Sequence, residues 1–123
     1  MTALRIAPLV VGCLVLGACS GQISAPTDTG VCYHLAAITN GQPKFNVVAR
    51  SMPDMEHCAA RLEAMRDRFL SLGGTNQDIT GAYQGNFLFL GNDGVFTSDS
   101  FNGPRFPFLV RSGDQLVPVG SAP

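Results

Sequence analysis

One helical stripe constrains this chain more than any other feature. Met55, Cys58, Ala59, Leu62, Met65, Phe69 and Leu72 recur at the spacing of a single helix face. The segment also carries start and stop signals. Pro53 suits the first helical turn, where its missing N–H costs nothing. Asp54 and Glu56 place negative charge at the positive end of the helix dipole. Ser51 or Met52 supplies the cap, Arg66 and Arg68 lie toward the C-terminal end, and Gly73-Gly74 stops the helix. Cys58 falls on the apolar stripe, so it faces whatever the helix covers.

Short β-prone segments flank the helix. Val31 to Ile38 reads as a strand, Thr39 to Pro43 as a turn, and Lys44 to Arg50 as an alternating strand, which together predict an antiparallel hairpin. After the helix, Thr75 to Gly81 reads as a polar connection. Ala82 to Leu90 reads as one strand with Tyr83, Phe87 and Phe89 on one face and Gly85 marking a bulge or close approach. Gly91-Asn92-Asp93-Gly94 is hairpin-turn chemistry, with Val95 to Ser100 returning. Arg105 to Arg111 alternates again, and Pro107 predicts an edge strand, because proline cannot donate to a ladder. Leu116 to Val119 is either a short last strand or a frayed end. The order β-β-α-β-β-β predicts an α+β fold in two layers, one helix packed on an antiparallel sheet of about five strands. A single domain is expected over residues 31–119, with a disordered tail at 120–123.

The beginning of the chain has a different character. Arg5 precedes an almost wholly apolar stretch from Ile6 to Leu16, and small residues follow from Gly17 to Gly21. That order is the pattern of a secretory signal over residues 1–18, too short to span a hydrocarbon layer about 30 Å thick. Leu16-Gly17-Ala18-Cys19 resembles the lipobox of bacterial lipoproteins. The resemblance implies cleavage before Cys19 and a diacylglycerol thioether on it, hence a membrane anchor. Ser20 resembles the residue that follows the lipidated cysteine in lipoproteins forwarded to the outer membrane. Cleavage after Ser20 is the alternative and leaves a soluble periplasmic or secreted protein. Residues 19–30, rich in Ser, Thr, Gly and Pro, read as a lipidated start and a flexible tether.

Export bears on the four cysteines. Cys13 leaves with the leader and Cys19 takes the lipid, so Cys32 and Cys58 remain as a pair in an oxidising compartment. A disulfide between them closes a loop of about 27 residues and stabilises the fold by roughly 3.5 kcal/mol through loop-closure entropy. Zinc bound by Cys32, His34, His57 and Cys58 needs both thiols reduced. It also needs side chains about 100° apart on a helix to converge. No metal or cofactor is expected.

No catalytic residue is assigned. Ser98 and Ser100 have no partner His and Asp that the sequence can vouch for, and the chain lacks G-x-S-x-G and H-E-x-x-H. Nucleic acid is not an expected partner: the chain has eight Lys and Arg, one of them in the leader, against nine Asp and Glu, with no basic stripe. Lys44, Arg50, Arg105 and Arg111 form a candidate partner surface if they share a face. The Pro107 strand is a second, as an edge that accepts a partner strand. The expectation is an outer-membrane lipoprotein facing the periplasm, a small binding or assembly module with an envelope protein as partner. A secreted soluble inhibitor or ligand-binding domain and a small hydrolase with a dispersed site are the alternatives.

Overall fold

Among the described residues, seven antiparallel strands carry one helix. The computed structural model describes residues 22–75 and 78–120. The expected leader, Cys19 and the last three residues lie outside the described residues. The elements are β1 (Cys32–Thr39), β2 (Gln42–Ala49), α1 (Met55–Ser71), β3 (Ile79–Tyr83), β4 (Asn86–Gly91), β5 (Gly94–Ser98), β6 (Phe106–Ser112) and β7 (Gln115–Pro118). They form one sheet in the order β2-β1-β3-β4-β5-β6-β7. Every pairing is antiparallel. The α+β class holds; the strand count of about five is corrected to seven.

The two further strands have local causes. Gln84 and Gly85 both take positive φ, 46° and 87°, the geometry of a tight two-residue hairpin turn, and Tyr83 pairs with Asn86 across it. The expected single strand from Ala82 to Leu90 is therefore two strands, and the expected polar connection already contains the start of β3 at Ile79. The turn also separates the aromatics. Tyr83 packs on the helix side, whereas Phe87 and Phe89 pack on the other. The last segment forms β7, so β6 is not the edge that Pro107 suggested. β7 pairs only with Leu109 to Ser112. Phe106 and Pro107 thus have a strand neighbour on one side alone, where a residue without an N–H is tolerated. The true edges are β2 and β7.

Helix α1 begins at Met55, two residues beyond Pro53, and neither Ser51 nor Met52 caps it. Asp54 is the N-cap, its side chain accepting from the His57 N–H at 2.9 Å, and Pro53 lies just outside. The other end is a Schellman closure: Gly73 N–H donates to Leu70 O and Gly74 N–H to Phe69 O, with Gly73 at φ 93°.

Both faces of the sheet are packed. On the helix side Cys58, Ala59 and Leu62 meet Cys32, Ile79, Leu88, Leu90, Val95 and Leu109. Cys32 and Cys58 form a disulfide with Cα atoms 5.3 Å apart, and neither is exposed. On the far side Ala82, Phe87 and Phe89 gather Phe45, Phe96 and Phe101. The two-layer expectation left this face bare.

Part of its cover is the segment read as a tether. Ile23 and Ala25 pack into the aromatic cluster. Gly85 N–H donates to Pro26 O at 2.8 Å, and Gly30 N–H donates to the Gln84 side chain at 2.7 Å. Tyr33 Oη donates to Asp28 Oδ2 at 2.6 Å, and this bond holds the phenol above its ordinary pKa. Among the described residues the packed unit therefore reaches back to Ile23, ahead of Val31.

Candidate binding groove

A helix is about 10 Å across, while seven strands spaced about 4.8 Å apart make a sheet roughly 29 Å wide. One helix cannot cover it. The main contacts of α1 are with β1, β2, β3 and β4, and the sheet continues past it. Between the helix and the last strands lies a groove of about 430 Å³. Its floor is Leu109, Leu116 and Pro118; Glu56, Ala60 and Glu63 of α1 form one wall, and Gln115 closes the rim.

Ion pairs fix that wall. Arg111 grips Glu63 with two nitrogens, at 2.7 and 3.1 Å, and donates to Gly91 O at 2.7 and 3.1 Å. The Glu63 hydrogen bond raises the Arg111 pKa above its usual value. Arg66, almost fully buried, lies 3.7 Å from the same carboxylate and donates to Asn92 at 2.6 Å. These bonds join β6, the β4–β5 turn and α1. Glu63 is thus neutralised, while Glu56 is exposed and makes no ion pair among the described residues. The groove offers an apolar floor with one free negative charge on its rim.

The four cations expected to share a surface do not. Arg111 is committed to Glu63 on the helix side. Arg105 lies on the opposite face, its guanidinium 3.5 Å from the centre of the Phe89 ring. Lys44 and Arg50 are exposed at and just beyond the β2 edge.

The histidines are also apart. His57 sits at the exposed helix start, Nδ1 2.7 Å from Asp54 Oδ1. That bond, together with the His57 N–H, lowers the Asp54 pKa. His34 is on β1 with its ring 6.4 Å from Phe69. With both thiols in the disulfide, the four residues weighed for zinc cannot act together, and no group of three or more His, Cys, Asp or Glu among the described residues is placed to hold a metal. Ser98 Oγ accepts from Ser100 N–H at 3.2 Å, serving its own loop.

Burial lowers the His34 pKa. At pH values between its folded value and about 6.5, the unfolded chain binds the extra proton. Stability therefore rises with pH through that window and is lost as pH falls through it. Melting temperature should drop on acidification from about pH 7 to about pH 5, and His34→Gln should flatten the drop. An unchanged slope in the variant removes His34 as the cause.

Sequence reasoning missed the groove because its floor and wall come from segments about 50 residues apart, brought together by the Arg111–Glu63 pair and by Leu109 and Leu116 packing on the core beneath α1. No family model, no curated protein and no solved structure matches the chain.

Proposed function

We propose that the chain is an envelope lipoprotein, anchored in the outer membrane through lipid on Cys19, whose domain faces the periplasm and binds a protein partner in the groove beside α1. One observation carries the binding reading. Among the described residues, a seven-stranded sheet with a single helix leaves an apolar-floored groove of about 430 Å³, and the Glu56 carboxylate at its edge makes no ion pair. The occupant that fits is an amphipathic helix of an envelope protein, apolar on one face and carrying a Lys or Arg to meet Glu56. The disulfide supports the location, since structural disulfides persist in oxidising compartments.

Photo-crosslinking in intact cells tests both halves. A crosslinker at Leu116 should give one discrete adduct, and the same group at Lys44 should not. Glu56→Lys should weaken the adduct about tenfold, the equivalent of roughly 1.4 kcal/mol. Metabolic palmitate should label the protein and fail to label Cys19→Ala. If the Leu116 adduct is absent, or indifferent to Glu56→Lys, the groove is not the docking surface.

A further inference from the structure

We propose that the sheet face away from α1 carries a second binding site, a hollow at the β4–β5 hairpin that takes a small zwitterion of the α-amino acid class. It is separate from the groove beside α1 and does not depend on the lipid reading of Cys19.

Strand register explains why the hollow exists. Thr80, Phe89 and Phe96 stand opposite one another on β3, β4 and β5, and Phe89 and Phe96 belong to the far-face cluster. Side chains two residues along a strand return to the same face. The next row on that face is therefore Asp78, Gly91 and Gly94, two of which have no side chain. What remains beside Phe89 is a hollow of about 330 Å³, at the lower end of the range for small-molecule sites. A Cβ on Gly91 would stand 2.8 Å from Asp78 Oδ1, so the Asp78 carboxylate leans across the glycine.

Charge of both signs lines this hollow. Arg105, just before β6, lies with its guanidinium 3.5 Å from the centre of the Phe89 ring. Cation–π attraction holds it there, and it makes no ion pair among the described residues. Its N–H groups are available to a carboxylate, which a guanidinium binds as a planar fork. Asp78 and, in the turn, Asp93 line the same hollow. These two acids disfavour a simple anion, and Arg105 disfavours a simple cation. A carboxylate offers about four acceptor positions, so bonds that Asp78 makes within the chain leave room for a ligand ammonium. Neither the groove beside α1 nor the cleft lined by His34, Ile38 and Phe69 has a Lys or Arg in its lining.

Spacing selects the ligand. Phe89 and Gly91 are two residues apart on β4, so the guanidinium over one and the carboxylate over the other are separated by about 7 Å. An α-amino acid carries its ammonium and carboxylate on one carbon and bridges that gap with a hydrogen bond of about 2.8 Å at each end. A ligand with its charges a peptide unit apart overshoots it. Phe96 supplies an apolar floor for the side chain of the amino acid.

An amide-shift titration of isotope-labelled full-length protein in detergent tests the site, with L-leucine, N-acetyl-L-leucine and L-leucinamide as probes. L-Leucine should shift the Thr80, Gly91 and Gly94 amides saturably, with a dissociation constant on the order of millimolar, as suits exposed charges. Each blocked analogue lacks one charge and should bind about fivefold more weakly, the effect of one exposed ion pair. Arg105→Gln should weaken L-leucine at least as much. Gly91→Ala, which displaces the Asp78 carboxylate, should weaken L-leucine about fivefold and leave N-acetyl-L-leucine, which has no ammonium, unchanged. Unchanged amide shifts in α1 show that each variant is folded. Equal binding of the three probes, or no saturable shift at these amides with L-leucine, overturns the proposal. N-acetyl-L-leucine binding as tightly as L-leucine overturns it in favour of a site that reads a carboxylate alone.

Discussion

Replacing Cys32 and Cys58 together by Ala should lower the melting temperature by about 15–25 °C. The figure follows from roughly 3.5 kcal/mol of loop-closure entropy and a shift of about 4–8 °C per kcal/mol in a domain of this size. Position argues that the crosslink acts at full strength. Cys32 opens β1, paired with Ala49 on one side and Tyr83 on the other, and Cys58 lies on the buried face of α1. The bond therefore fastens α1 to β1, an interior strand paired on both sides. Ala at both sites avoids burying two hydroxyl groups, which would add a desolvation cost unrelated to the crosslink. Because the crosslink constrains the unfolded chain, the variant should also show a larger denaturant m-value, as more surface is exposed on unfolding. A drop below about 5 °C with m unchanged would show that folded packing, and not the bond, holds α1 in place.

The features that were legible in the sequence are local ones. The α1 stripe from Met55 to Phe69 repeats within one helix, although Leu72, expected on it, is the exposed C-cap, and local end signals bound it, so its residues identify it without knowledge of any neighbour. The Gly91–Gly94 hairpin was legible for the same reason. The β3–β4 turn was not, because Gln84-Gly85 lacks the Asn or Asp that usually signals positive φ at the first turn position. Missing it merged two strands and put Tyr83 on the wrong face. The docking of Ile23 to Gly30 was hidden differently. It rests on backbone groups, such as the Pro26 carbonyl and the Gly30 N–H, that composition does not reveal. The groove depends on how many strands lie beyond the helix, a property of the whole sheet.

Phe87→Ala should cost about 3–5 kcal/mol, the usual range for deleting a buried aromatic ring. Phe87 is fully buried on the face away from α1. Its ring centre lies 5.5 Å from Phe101, 6.2 Å from Phe89 and 6.4 Å from Phe45. It is the point where β4, the β2 edge and the loop before β6 meet, so its loss leaves a cavity that no single neighbour can fill. The next residue, Leu88, is equally buried on the helix side, and Leu88→Ala should cost about 2–5 kcal/mol. Comparable losses at adjacent positions pointing to opposite faces are the signature of a strand packed on both sides. A solvated far face predicts instead that Phe87→Ala costs under about 1 kcal/mol while Leu88→Ala costs its full amount. Hydrogen exchange adds a readout that general destabilisation does not mimic. The Gly85 and Gly30 amides, bonded to Pro26 and Gln84, should lose protection in Phe87→Ala before the helix amides do, because the segment from Ile23 to Gly30 leans on the aromatic cluster and not on α1.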